Sequence, residues 1–240
     1  MRYLNSTIAS ALAIALVLTI AIPQAEAVPM LQLTSAGTTK TITDQDFSAP
    51  APDASPVPGA VSWMGSIGNF FISFTAGVSK PSLGAANSPN MHLTSLQLSS
   101  SSGGTIEIAF TDTDFTLPLA SGLDALTSVI GGTTTGTVNS FETFFDDSNT
   151  AFGTATQLAS LGPYSGSTLN PVSLGGSSHS GLLPTSGPYS LTMIAKITHS
   201  TLQSTSIDAN IIANPEPATL LLFGSGLIGL GAWRWRKTHS

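Results

Sequence analysis

Apolar and polar residues alternate with period two along most of the chain between residues 60 and 213. Phe70, Ile72, Phe74, Ala76 and Val78 fall on one face of an extended segment. Ile106, Ile108 and Phe110 repeat the pattern. Tyr189, Leu191, Met193, Ala195 and Ile197 do so again, with Ser190, Thr192, Lys196 and Thr198 opposite. In the next run Thr205, Ile207, Ala209 and Ile211 alternate with Ser206, Asp208 and Asn210. Weaker alternation covers Leu93–Leu98 and Thr137–Phe145, and Gly103-Gly104, Gly131-Gly132, Gly175-Gly176 and Gly187-Pro188 read as turn signals. Strands with one apolar and one polar face belong to antiparallel sheets covered on one side. The pattern therefore predicts an all-β fold, an antiparallel β-sandwich of jelly-roll-like type. The last two strong runs, separated by a short Ser/Thr/Gln stretch, are expected to pair as a hairpin. The spacing in Leu119–Ile130 suits either a short helix or a strand. Residues 153–187 read mostly as loop. Residues 28–60 contain Ala49-Pro50-Ala51-Pro52 and Ser55-Pro56-Val57-Pro58-Gly59 and read as irregular, so the folded domain is expected over 61–213.

The alternation gives way to continuous apolar runs at both ends. Arg2 precedes an apolar run from Ile8 to Ile22, and Ala25-Glu26-Ala27 follows. A positive start, an apolar stretch and small residues at the two recognition positions, Ala25 and Ala27, make a secretory signal cleaved after Ala27. At the other end, Leu220 to Trp233 is nearly free of polar groups and is followed by Arg234, Arg236 and Lys237. A helix there satisfies its own backbone in lipid, and the three cations form a membrane stop on the cytoplasmic side. The span is short for a bilayer, so snorkelling of Arg234 and Arg236 makes up the length. Both ends agree that the middle of the chain faces outward.

Just before that span lies Asn214-Pro215-Glu216-Pro217. The two prolines fix φ and push the preceding residues away from the helical region, so a helix cannot extend back past Pro217. The ordered set of Pro-Glu-Pro, one short span, a terminal basic cluster and an N-terminal signal resembles the PEP-CTERM sorting signal of bacterial envelope proteins. The resemblance covers residues 214–240. It implies recognition of Pro215, Glu216 and Pro217 by exosortase, a membrane enzyme, and a transient stay in the inner membrane. It also implies an anchored precursor facing the periplasm and a mature form at the outer surface or outside the cell, in bacteria that make exopolysaccharide.

Composition narrows the function of the middle. Only 8% of residues are charged, against about 25% in ordinary globular domains, so the polar surface is built from Ser, Thr, Asn and Gly. Between Val28 and Pro217, Lys40, Lys80 and Lys196 stand against twelve acidic residues. Nothing there offers a basic stripe to phosphates, which argues against nucleic acid as a partner. Cysteine is absent, which removes disulfides, thiolate metal sites and cysteine nucleophiles.

The search for chemistry leaves few candidates. Asp112 and Asp114 follow a strand and, if extended, share one side. Hard oxygen ligands of this kind suit Ca²⁺, with Asp146-Asp147 as further donors if the fold brings them near. The other reading is solvated acids closing a strand. Carboxylates two apart on a strand do not flank a sugar as glycoside hydrolysis requires. His92, His179, His199 and His239 lack metal-ligand spacing, and His179 lies in a Gly/Ser stretch that reads as surface loop. No nucleophile elbow or phosphate-cradling loop is present. Trp63 and Tyr164 are the aromatics a sugar-binding face could use, with partial burial in the core as the alternative. These observations lead to a non-enzymatic envelope or matrix protein without a cofactor. A carbohydrate-binding, exopolysaccharide-facing module and a secreted hydrolase with an unrecognised site are the alternatives.

Overall fold

The computed structural model describes residues 28–116, 126–180 and 187–213. The signal region and its Ala25 and Ala27, the sorting motif, the expected span and the basic stop lie outside the described residues. The described chain is all β and contains no helix. Its strands are β1 (Met30–Ser35), β2 (Thr38–Thr43), β3 (Ala60–Ile67), β4 (Phe70–Val78), β5 (Asn90–Ser100), β6 (Gly104–Phe115), β7 (Leu126–Thr134), β8 (Thr137–Asp146), β9 (Thr156–Leu161), β10 (Tyr164–Ser165), β11 (Val172–Ser180), β12 (Tyr189–His199) and β13 (Ser204–Ala213). They form two antiparallel sheets. One runs β10-β8-β12-β6-β1-β2, with β9 also paired to β8; the other runs β11-β7-β13-β5-β4-β3.

The alternating runs bury their apolar face in one core shared by both sheets. Leu31, Phe110, Leu191 and Ile197 come from the first sheet and Ile72, Leu93, Ile207 and Ile211 from the second. At about 1.5–3 kcal/mol for each fully buried aliphatic or aromatic side chain, this shared core is the main force holding the sheets together.

Several expectations change. The runs at Tyr189 and Thr205 do not pair as a hairpin. β12 pairs with β6 and β8, whereas β13 pairs with β5 and β7 in the other sheet. The short connection is an arch that carries the chain across the core. β5–β6 and β7–β8 are arches of the same kind, so one sheet has the order β7-β13-β5 and the other β8-β12-β6. Residues 153–187, expected as loop, contain β9, β10 and β11. Gly131 and Gly175, expected in turns, face each other within a ladder, and Leu126–Ile130 is strand. The segment 28–60, expected to be irregular, contributes β1 and β2, and β1 pairs with β6 along its whole length. The folded unit therefore begins near Met30, and only the proline-rich part after Thr43 lacks strands.

Parity also slips within β4. Ile72 faces the core but Phe74 turns outward, and Thr75 takes the inward position. The ladder between β3 and β4 shifts register between Trp63 and Gly65, opposite this point. Such a bulge puts successive side chains on one face.

Candidate functional site

Both described chain ends leave from the same end of the domain. The Asp44 amide donates to Pro29 O near the N-terminal side (3.0 Å), and the Ala213 amide donates to Pro89 O (2.8 Å). This exit end also carries the loops after β2, β4 and β8. The opposite end carries the β1–β2 and β3–β4 turns, the three arches and the β10–β11 loop.

Charge is divided between these ends. Asp44, Asp46, Asp53, Asp112, Asp114, Asp146 and Asp147 lie at the exit end, with Lys80. The turns and arches of the opposite end contain no Asp, Glu, Lys or Arg. Most of the exit-end carboxylates hold loop backbone. Asp53 accepts from the amides of Gln45, Ser55 and Ser62, Asp44 from Gly59, and Asp146 from Ser148. Asp46 accepts from Ser48 and Ala49, and these bonds lower its pKa. Each bond satisfies an amide that has no ladder partner.

The calcium candidates are arranged differently from the expectation. Asp112 is fully buried and ion-paired with Lys80 at 2.9 Å, and it accepts from Ser79 Oγ at 2.6 Å. Lys80 also donates to Thr113 O and lies 4.0 Å over the Phe115 ring. Burial raises the Asp112 pKa against the pull of Lys80, and burial lowers Lys80 against the pull of Asp112. Desolvation thus outweighs pairing for both partners. Asp114 lies within β6 but at a register shift against β12, not in extended conformation; its φ is +57°, and its carboxylate accepts from Asn149 Nδ2 at 2.7 Å. Among the described residues no three acids or histidines come together as a metal site.

The histidines have unrelated roles. His179 is on β11, not in a loop, and its Nδ1 lies 3.0 Å from Thr127 Oγ1. His92 Nε2 approaches Asp208 Oδ1 to 3.1 Å on the outer face without hydrogen-bond alignment. His199 is buried where the three arches meet. Its Nδ1 is 2.9 Å from Ser100 Oγ and its Nε2 is 2.8 Å from Thr205 Oγ1. Thr205 Oγ1 is 2.6 Å from Thr134 Oγ1, which accepts from the Gly136 amide. Ser100 Oγ donates to Thr201 O. One direction satisfies every group: Gly136 N–H to Thr134, Thr134 to Thr205, Thr205 to His199 Nε2, His199 Nδ1–H to Ser100, and Ser100 to Thr201 O. The chain assigns the neutral Nδ1–H tautomer. Burial pushes the His199 pKa down to about 4.

Of the sugar-face candidates, Trp63 is 7% exposed and packs in the core with Lys40 Nζ 4.6 Å over its ring. Tyr164 is half-buried, and its hydroxyl donates to Gly175 O, tying one sheet to the other. Tyr189 is fully buried, which raises its pKa, and its hydroxyl has no protein partner. The aromatic that does stand out is Phe71, 53% exposed beside a groove at the uncharged end, with Leu202, 71% exposed, on the other wall. Phe71 has the polar parity of β4 and follows Phe70; an aromatic at an outward position next to a Gly-Asn turn was the available signal.

The family model described as the PEP-CTERM protein-sorting motif matches residues 215–237. The match takes in Pro215, Glu216, Pro217, Arg234, Arg236 and Lys237, and it implies an exported, membrane-anchored precursor that exosortase sorts. No curated protein matches the chain.

Proposed function

We propose that this chain is a non-enzymatic envelope or extracellular-matrix protein. Its folded domain, a β-sandwich of jelly-roll-like connectivity, is the cargo, and residues 214–240 are its sorting address. The carrying observation is the sorting-motif match at residues 215–237. Arg234, Arg236 and Lys237 hold the cytoplasmic side, so the domain faces the periplasm until exosortase cuts near Glu216. The reading is supported by the engagement of the groups that chemistry would need: Asp112 is paired with Lys80, and His199 is committed at both nitrogens. The test is the intact mass of the protein from hosts with and without the sorting enzyme. Loss of the tail in the first host alone is expected, and Glu216→Ala abolishes it. Equal masses in both hosts overturn the reading.

A carbohydrate-binding role is a second reading, favoured by the Phe71 groove at the end remote from the tail.

A further inference from the structure

At the end remote from the acidic loops, the β3–β4 turn and the β5–β6 and β12–β13 arches leave a shallow groove between them. Phe71 and Leu202 face it as the apolar walls. Ser66, Asn69, Ser99 and Ser101 supply its polar rim. Asn69 is held in place by donating its amide hydrogen to Gly103 O at 2.9 Å, which leaves its carbonyl oxygen free to accept. A ring with one open face, flanked by neutral hydroxyl and amide groups, matches a ligand that has both C–H faces and hydroxyls. A phosphate, uronate or peptide terminus needs a counter-charge; the turns and arches of this end carry no ionic side chain, and Lys40, the cation beside the rim, is engaged by Ser66 O at 3.1 Å and by the Trp63 ring.

Topology adds a second argument. Both described chain ends leave from the opposite end, so a domain held by its tail presents this groove outward. The acidic loops of the exit end are turned away from it.

From these observations we infer that the groove between the β3–β4 turn and the β12–β13 arch binds a neutral glycan segment, with Phe71 as the stacking platform. The inference rests on the carbohydrate-binding reading and names its site. Only the outward placement of the groove borrows from the sorting reading; the binding itself does not, and the sorting test measures tail mass.

The experiment uses the full-length chain in detergent micelles. Affinity electrophoresis is run in gels containing dextran, laminarin or alginate, with Phe71→Ala and Leu202→Ala alongside. Both side chains are exposed, so both variants should keep the parent melting curve. Expected is retardation by at least one neutral polysaccharide, reduced roughly tenfold in Phe71→Ala and less in Leu202→Ala. No retardation in either neutral gel, retardation only by alginate, or equal retardation of Phe71→Ala overturns the proposal. So does a concentration-dependent dimer in light scattering that Phe71→Ala abolishes, because the groove would then be covered by a second copy.

Discussion

At the scale of single residues, His199 shows how a buried polar group can close the end of a core. A histidine in an apolar strand usually signals either a ligand or a hydrogen-bonded core residue. Its partners, Ser100, Thr205 and, through Thr205, Thr134, come from three different strands and lie up to 99 positions from it in the sequence. No local pattern in the sequence could name them. The directed chain also determines the response to acid. Protonation puts a hydrogen on Nε2, which reverses the bond to Thr205 and leaves the Thr205 and Thr134 hydroxyls competing for acceptors. The folded pKa, about 4, lies below the ordinary value of 6.5, so the unfolded chain binds the proton more readily. Stability from this residue is present above about pH 6.5 and is lost as pH falls toward 4. The displacement corresponds to about 3 kcal/mol. Chemical denaturation at pH 7 and pH 4.5 should show the wild type losing about 2–3 kcal/mol more than His199→Gln, after both are referred to pH 7. An equal loss in the two proteins would show that other groups govern the acid response.

At the scale of elements, what the sequence made legible was the strand itself. The alternation at Ile106, Tyr189 and Thr205 identified β6, β12 and β13 and their buried faces, because burial on one side imposes period two. Partnership was not legible. A short polar connection can close a hairpin within one sheet or cross the core as an arch, and the local chemistry is similar. Here Gln203 decides it from a distance: its side chain donates to Thr135 O of the neighbouring arch, and its own carbonyl accepts from Ser100 N. The connection's polar groups are thus satisfied by adjacent arches rather than by a hairpin ladder. Glycines misled for a related reason. Gly132 has φ +129° and lies so close to Ser206 that a side chain would overlap it; the residue permits close approach within a ladder instead of marking a turn. The slip in β4 gives a direct check of register. Ile72→Ala should cost about 2–5 kcal/mol, because Ile72 is fully buried. Phe74→Ser, at a position that strict alternation would bury, should change stability by less than about 1 kcal/mol. A larger loss for Phe74→Ser in urea denaturation would restore the unbroken register.

At the scale of the whole molecule, the connection between domain and sorting motif sets the geometry of processing. β13 is the last described strand, and it lies between β7 and β5 with ladder pairs up to Ala213 on one side and Ile212 on the other. It cannot move away from the body without breaking two ladders. The motif match begins at residue 215, so only Asn214 separates the sheet from it. From Asn214 to the first residue of the apolar run at Leu220 the chain reaches at most about 22 Å, at roughly 3.3–3.6 Å per residue. On the proposed reading the processing enzyme works against the exit end of a folded domain, where Asp44, Asp46, Asp114 and Asp147 remain at the surface and would repel anionic headgroups. The adjacency of β13 and Pro215 could be read from sequence numbers; that β13 is a central strand and cannot yield could not. Inserting about twelve Gly and Ser residues between Ala213 and Asn214, a flexible spacer, should relieve the crowding and raise the rate of tail loss several-fold in a pulse-chase measurement. A destabilised domain such as Ile72→Ala should be processed faster than its parent without the spacer and gain little from it. If the spacer leaves the parent rate unchanged, the cut is made before the domain folds, and the exit end has no part in setting its rate.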